Sequence, residues 1–188
     1  MAAKPLPPVE YLRQCLLYDP ETGALTWRTR PVSHFRSVAV ARAWNSSWAG
    51  RPAGTITRSG YVRFDLICDG EQFHVMGHRA AWAIVTGEDR PLVDHKDGVG
   101  ANNRWGNLRP ATCVQNQANT PGKRSSPWPK GVVEIRGRFV AKIRVEGRQH
   151  HIGSYDTPAL AHEAYCRHGR LIHGEFFNPG PAKPSIFD

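Results

Sequence analysis

A run of turn-forming and basic residues interrupts this chain two thirds of the way along and limits each side of it to a small domain. Residues 120–129 hold three prolines, one glycine, two serines and two basic side chains, which is the composition of a linker. Since a domain usually takes about 100–200 residues, the 188 residues allow one medium domain or two small ones. We predict a linker at 121–130 with a small domain on each side.

The chain is basic, with 25 Lys+Arg against 16 Asp+Glu and a formal net charge of +9. This excess favours a polyanionic partner, either nucleic acid or an anionic membrane surface. The longest apolar run, residues 80–85, is far too short to span a bilayer, and residues 1–8 lack the apolar core of a signal peptide. We therefore expect a nucleic-acid-binding protein of the cytoplasm, with no membrane partner.

Four cysteines, Cys15, Cys68, Cys113 and Cys166, are widely spaced and form no C-x-x-C pair. This excludes the usual zinc-ribbon spacings and a compact disulfide framework. A disulfide between distant cysteines stays open, but four buried small residues in a reducing compartment is the favoured interpretation.

Alternating apolar residues and turn-forming dipeptides predict short strands and helices in an α+β arrangement. Before the linker we predict helices at 9–18, 78–85 and from Thr112 to about 119, and strands at 24–28, 61–67, 72–75 and 91–94. After it we predict strands at about 131–136, 138–145 and 148–155, and a helix from Thr157 to about 173. Residues 31–54 show no clear period and are predicted to be an irregular insert.

A polar loop and the helix after it carry a linked set of motifs. They are Val93-Asp94-His95-Lys96-Asp97-Gly98, Asn102-Asn103-Arg104-Trp105-Gly106-Asn107-Leu108-Arg109 and Gln115-Asn116-Gln117-Ala118-Asn119. Asn107 follows His95 by 12 residues and Asn116 follows Asn107 by 9. The pattern resembles the HNH nuclease family in its His-Asn-Asn variant. The resemblance implies a ββα-metal (HNH) nuclease core at 61–120, with an N-terminal extension and irregular insert at 1–60.

The chemistry of phosphodiester hydrolysis explains why these residue types are needed. A histidine that titrates near neutrality can take the proton from an attacking water, so His95 is the candidate general base. Mg²⁺, or another divalent cation such as Mn²⁺, prefers oxygen ligands and neutralises charge on the phosphate. Asp94 and the amide oxygen of Asn116 are the candidate ligands. The resemblance assigns Asn107 the catalytic role of holding the His95 imidazole and its loop.

Three further residues are candidates for an outer shell around this motif: His78, Arg79 and Asn103. The His78-Arg79 pair precedes an apolar helix, as in family members. His78 fits equally well as a structural hydrogen-bonding histidine or as an outer-shell or phosphate contact. Asn103, taken alone, is typical of a loop residue.

The segment after the linker carries closely spaced cations. Alternation along residues 138–145 places Arg138, Lys142 and Arg144 on one face of a strand and apolar residues on the other. Such spacing suits phosphates and guanine edges, although a solvated basic face is the alternative. The candidate DNA-binding residues are Lys130, Arg136, Arg138, Lys142, Arg144 and Arg148.

Residues 131–178 resemble the plant ethylene-response-factor (Apetala-type) DNA-binding domain, which phage and bacterial HNH nucleases also carry. The matching pieces are Lys130-Gly131-Val132, Arg138-Phe139-Val140-Ala141-Lys142-Ile143-Arg144, His151-Ile152-Gly153-Ser154-Tyr155-Asp156-Thr157, Ala164-Tyr165 and His173-Gly174-Glu175-Phe176. The resemblance implies a small three-stranded antiparallel sheet packed on one helix, followed by a tail at 179–188. Val133 and Ile135 stand where plant members use an aromatic residue and arginines, which is a departure from the pattern for base recognition.

Together the two resemblances imply a phage-type, homing-like HNH endonuclease that cuts double-stranded DNA in a metal-dependent reaction. The alternatives are a sequence-specific DNA-binding regulator with a non-catalytic HNH core, a packaging or restriction nuclease, and an RNA-binding protein. One HNH site acts on one strand, so a monomer nicks, whereas a double-strand break needs a homodimer or two encounters. The sequence does not choose between monomer and homodimer.

Overall fold

The computed structural model describes residues 4–122 and 125–181. The chain divides into two compact units, Met1–Pro110 and Ala111–Asp188. The predicted linker at 121–130 falls within the second unit, and the domain limits predicted from composition stay a prediction. Among the described helices, none is both long enough and apolar enough to cross a bilayer.

The N-terminal unit begins with helix α1, Val9–Cys15, which is followed at once by strand β1, Leu16–Tyr18. Strand β1 pairs antiparallel with β2, Leu25–Trp27, across a turn that contains Gly23 at φ +76°. The helix predicted to continue to residue 18 ends earlier because Leu16 to Tyr18 pair with β2 instead.

The insert between residues 31 and 54 is helical, so its predicted irregular structure was wrong. Helix α2 spans Val38–Trp48, after a 3-10 turn at Val32–His34. The Ser37 hydroxyl caps α2 by accepting a hydrogen bond from the Val40 N–H at 3.3 Å. Only Ala41 of this helix is fully buried.

A three-stranded antiparallel sheet and a helix complete the core of this unit. The strands are β3, Thr55–Ile56, β4, Val62–Cys68, and β5, Glu71–Met76, in the order β3-β4-β5. Asp69 and Gly70 form the predicted hairpin turn, both with positive φ. Helix α3, Gly77–Thr86, follows, and the core joins buried residues of these elements and of the N-terminal hairpin: Leu12, Leu16, Trp27, Phe64, Leu66, Val75, Ala80 and Ala83.

A short hairpin ends the unit. Strands β6, Val93–His95, and β7, Leu108–Pro110, pair antiparallel and enclose a 12-residue loop, residues 96–107. In this register Asp94 faces Arg109 and His95 faces Leu108.

The C-terminal unit has the antiparallel strands and the long helix that were predicted. Helix α4, Cys113–Ala118, starts with a capping box between Thr112 and Gln115. Strands β8, Val132–Ile135, β9, Arg138–Val145, and β10, Arg148–Tyr155, form a sheet in the order β10-β9-β8. Helix α5, Pro158–His173, follows the cap at Thr157. The small antiparallel sheets and helices of both units confirm the α+β class.

One face of the C-terminal sheet packs on α5 through a compact apolar cluster. The cluster joins Phe139, Ala141 and Ile143 of β9 to Ala161 and Tyr165 of α5. Leu160 of α5 lies outside this cluster and is 50% exposed. Of the four cysteines, three are buried as predicted and Cys113 is exposed.

Candidate active site

The β6–β7 hairpin positions the two titratable side chains at the centre of the site. Asp94 and His95 are consecutive residues of β6, and each is only 4% exposed. The Asp94 Oδ2 accepts hydrogen bonds from the Arg109 Nε at 2.9 Å and from its Nη2 at 2.8 Å. Both partners of this ion pair are buried, so Arg109 balances a carboxylate that would otherwise lose its hydration at high cost.

A second hydrogen bond sets the chemistry of the His95 ring. The His95 Nε2 lies 3.0 Å from the Asn103 Oδ1, and both side chains are buried. An amide oxygen only accepts hydrogen bonds, so with this oxygen facing the ring the hydrogen is on Nε2. In a ring with one N–H, Nδ1 is then the nitrogen that carries the lone pair. Asn103, which taken alone looked like a loop residue, therefore contacts the catalytic candidate directly.

Residues far away in sequence hold Asn103 in place. The Tyr18 hydroxyl donates to the Asn103 main-chain carbonyl at 2.7 Å. Burial, with a smaller contribution from the charge of Asp19, raises the pKa of Tyr18 to about 12, so the hydroxyl stays a donor. A Cβ at Gly77 would lie 2.9 Å from the Asn103 Nδ2, so only glycine leaves room for this amide. The sequence contains no local signal for either contact, since Tyr18 is 85 residues from Asn103.

Asn107 closes the loop between β6 and β7. Its Nδ2 donates to the Asp97 Oδ1 at 3.0 Å and to the Asn102 carbonyl at 2.8 Å, and its Oδ1 accepts from the Asp97 N–H at 3.1 Å. Burial alone would raise the pKa of Asp97, but hydrogen bonds from Val99, Asn102 and Asn107 outweigh burial and lower it. The Asn107 side chain thus orders the loop, while the hydrogen bond to the imidazole described above comes from Asn103.

An aromatic cluster surrounds the His95 ring. The centroid of the His78 ring lies 5.1 Å from that of His95, and the Tyr61 ring lies 5.5 Å from His78 and 5.7 Å from His95. Burial, followed by the charges of His95 and Arg79, lowers the pKa of His78 to about 3, so His78 is neutral. Its buried Nδ1 has no hydrogen-bond partner within the described part of the chain. Tyr61 was not predicted as part of the site.

Arg79 is bound to neighbouring parts of the fold through its guanidinium. Its guanidinium donates to the Asp89 carboxylate at 2.5 Å, the Lys4 carbonyl at 2.8 Å and the Arg90 carbonyl at 3.1 Å. These hydrogen bonds tie the N-terminal segment and the turn after α3 to the start of α3.

The predicted metal ligands lie on different parts of the chain. Asp94 belongs to the N-terminal unit, whereas Asn116 lies half-buried on α4 of the C-terminal unit. Within residues 4–122 and 125–181, no group of three or more His, Cys, Asp or Glu side chains could hold a metal ion. A hard cation bound by one carboxylate, with further oxygens from an amide, substrate and water, fits this donor set better than an all-protein cage.

The exposed face of the C-terminal sheet holds three of the predicted DNA contacts. Arg138 and Arg144 are exposed on β9, and Lys142 lies half-buried between them. In the sheet register, Lys142 faces His151 and Arg144 faces Gln149 of β10. Arg138 also forms an ion pair with the exposed Asp156 and donates to the Ser154 carbonyl at 3.3 Å.

The three other cations have different surroundings. Arg136 is exposed in the β8–β9 turn at φ +51°, and Arg148 is exposed at the start of β10. The Lys130 Nζ donates to the Ala118 carbonyl at 2.9 Å and to the Asn178 carbonyl at 2.6 Å. Burial lowers the pKa of Lys130 to about 8. These contacts join the end of α4 to the C-terminal segment.

Comparison with known families locates the nuclease-like part of the chain. Residues 75–118 match the model of an HNH endonuclease family. This match supports the predicted resemblance of this segment to HNH nucleases. The matched segment contains Asp94, His95, Asn107 and Asn116. Neither the curated proteins nor the solved structures give a match to the chain.

Proposed function

We propose that this chain is a metal-dependent DNA endonuclease with His95 as its general base. The observation that carries the proposal is the hydrogen bond between the His95 Nε2 and the Asn103 Oδ1. It lies within the segment that matches the HNH endonuclease family and leaves Nδ1 as the basic nitrogen. An imidazole held in one orientation can accept a proton from a water that comes within hydrogen-bond distance of Nδ1.

In this mechanism, the His95 Nδ1 takes a proton from water as the water oxygen attacks the phosphorus. The bond to the 3′ oxygen breaks and this oxygen takes a proton from solvent, so the products carry 5′-phosphate and 3′-hydroxyl ends, as the resemblance implies. The imidazole becomes an imidazolium, and the neutral His78 beside it adds no repulsive charge. A divalent cation, Mg²⁺ or Mn²⁺, would be held by Asp94 and, by resemblance, Asn116, and would neutralise charge on the phosphate.

The C-terminal unit would supply the docking surface for duplex DNA. Its support is the exposed row of Arg138, Lys142 and Arg144 on β9 together with the resemblance to ethylene-response-factor domains. The basic sheet face and the resemblance of residues 93–119 to HNH nucleases together favour a phage-type, homing-like nuclease. Such an enzyme would nick or cut DNA near the site to which the sheet binds.

One observation favours the alternative, a DNA-binding regulator with a non-catalytic core. The Nε and Nη2 atoms of Arg109 both donate to the Asp94 Oδ2, so the guanidinium competes with a cation for this carboxylate. The two functions differ in one measurable property, because only the nuclease needs a divalent metal and His95.

A supercoiled-plasmid assay with Mg²⁺, with Mn²⁺ and with EDTA tests the proposal. We expect nicking by the wild type only with metal, and a loss of about 10²–10⁴-fold in rate for His95→Ala. Asn103→Ala should lower the rate by about 100-fold, because the ring loses its orientation. His74→Ala is the matched control, since His74 is an exposed histidine of the same unit. Nicking by His95→Ala at the wild-type rate would contradict the proposal and favour the regulator.

A further inference from the structure

The insert around α2 concentrates arginine and tryptophan. Residues 27–67 contain seven arginines, no lysine and a single acidic residue, Asp65. The same stretch holds three of the six tryptophans of the chain, Trp27, Trp44 and Trp48. The HNH match does not cover this segment, and none of the site residues predicted from the sequence lies in it.

A groove of about 740 Å³ lies in this segment, and we call it the Trp48 groove. One part of its lining is a row of residues spaced by four, Arg36, Val40, Trp44 and Trp48, which α2 and its preceding residues present on one face. Exposed side chains of β4, including Arg63, line it as well. The volume falls within the range of about 300–1,000 Å³ typical of small-molecule sites.

A cation held among aromatic rings makes the lining rigid. The Arg30 guanidinium lies 4.8 Å from the Phe35 ring centroid and 4.9 Å from that of Trp44. Trp27 packs edge-on against Trp44 at 5.4 Å. The Asn45 side chain accepts from the Arg30 N–H and donates to its carbonyl, both at 2.9 Å, which joins α2 to the segment before it. The rings are therefore oriented before any ligand arrives.

Trp48 differs from the other rings in its exposure. It is 47% exposed at the end of α2, whereas Trp27 is 8% exposed. Large exposed aromatic side chains next to cations are the usual platform for unstacked bases. Asp65, the one acidic residue of the groove, is already paired, at 2.8 Å with His74 and 3.9 Å with Arg63. The excess of arginine favours a polyanion over a second copy of the chain or an apolar peptide.

We propose that the Trp48 groove binds single-stranded DNA, with a base stacked on Trp48 and phosphates at Arg36 and Arg63. Bases of a duplex are stacked on each other, so only an unpaired stretch can present the face of a base to the ring. The choice of DNA rather than RNA rests on the proposed nuclease function. The binding site itself does not, because none of its residues belongs to the His95 site.

Fluorescence anisotropy with a labelled ten-residue oligothymidine in EDTA tests this proposal. Because stacking is worth about 1–3 kcal/mol per base, Trp48→Ala should weaken binding by about 5- to 140-fold. Trp48→Phe keeps an aromatic face and should retain most of the affinity. An abasic oligonucleotide of the same length should bind as weakly to the wild type as oligothymidine binds to Trp48→Ala. Equal affinities of wild type and Trp48→Ala would overturn the proposal.

A second pair of variants tests the phosphate contacts against diffuse charge. Arg36→Ala with Arg63→Ala should lower the salt slope of oligothymidine binding by about 1.4, which corresponds to two contacts with a single strand. Arg42→Ala with Arg58→Ala is the matched control, because both arginines are exposed, lie outside the groove lining and remove the same charge. An equal decrease in the salt slope for the two double variants would mean that the groove makes no specific phosphate contacts. Tighter, Trp48-dependent binding of oligouridine would replace DNA by RNA and overturn the proposal.

The binding result can be separated from the fate of the nuclease proposal. Oligothymidine affinity is measured without metal, and His95→Ala should bind oligothymidine as the wild type does. A failure of nicking together with Trp48-dependent binding would reject only the nuclease, whereas metal-dependent nicking with unchanged binding by Trp48→Ala would reject only the groove.

Discussion

Arg109 and Arg138 each form an ion pair with an aspartate, but the two pairs lie in very different surroundings. The side chains of Arg109 and Asp94 are 8% and 5% exposed, whereas those of Arg138 and Asp156 are 50% and 77% exposed. The buried pair belongs to a site in which every group has a set position. The exposed pair belongs to a face whose cations remain open to solvent. In the proposed nuclease, catalysis would therefore depend on a few oriented groups, whereas docking would depend on accessible charge.

The largest expected effect comes from breaking the buried pair. Arg109→Met removes the guanidinium from the buried Asp94 carboxylate and should lower the free energy of unfolding by about 3–5 kcal/mol. Arg138→Ala, the matched change in the exposed pair, should cost about 0–1 kcal/mol. Urea denaturation followed by circular dichroism measures both. Equal effects of the two substitutions would show that burial does not distinguish these pairs.

An intermediate effect concerns pH and the neutral His78. In the unfolded chain this histidine takes up a proton near its ordinary pKa of 6.5, whereas in the folded chain the pKa is about 3. Between these values the unfolded state binds the extra proton, so stability falls as the pH falls, by about 1.4 kcal/mol per pH unit. His78→Gln should flatten the stability curve below pH 6.5. Urea titrations from pH 7 to 4 give the free energy of unfolding of both proteins. Taking the difference between the two curves removes the contribution of the carboxylates, which both proteins share. Parallel curves would mean that His78 titrates normally in the folded state.

We expect substitutions on the basic face of the C-terminal sheet to have the smallest effect on stability and a separate effect on DNA binding. Lys142→Ala with Arg144→Ala should leave unfolding nearly unchanged but lower the salt slope of duplex DNA binding by about 1.8, or 0.9 per lost phosphate contact. Arg167→Ala with Arg170→Ala, two exposed residues of α5, removes the same charge away from the sheet. Filter binding at several salt concentrations gives both slopes. If the two double variants behave alike, the sheet face is a solvated surface and not a docking site.

Features that depend on neighbouring residues were predictable from the sequence. The Asp69-Gly70 turn and the cap at Thr157 are local, and the structure has both. Alternation along β9 predicted which side chains pack on α5, because a strand forces successive residues to opposite faces. The strand predicted at 91–94 overlaps β6, Val93–His95, but it ended one residue before His95.

Features that depend on distant contacts were not predictable. The pairing of Asp94 with Arg109 follows from the register of two three-residue strands, which are too short to give a periodic signal. The Trp48 groove was missed because its lining joins one face of α2 to exposed residues of β4, and only tertiary packing brings these two elements together. The contact of Tyr18 with Asn103 crosses 85 residues of sequence. Each of these is set by tertiary packing rather than by local preference.

The turn between β1 and β2 supports the loop that carries Asn103, and this limits how the segment that matches the HNH family could be inherited on its own. Gly23, at φ +76°, packs so closely on the main chain of Asn103 and Arg104 that a side chain would not fit, and Tyr18 on β1 binds the same segment. A recombination event that moved only the family-matched residues 75–118 to a new DNA-binding partner would leave this support behind. A transferred gene segment would therefore have to start no later than β1. We expect that gene fusions that fold retain the β1–β2 hairpin together with residues 75–118.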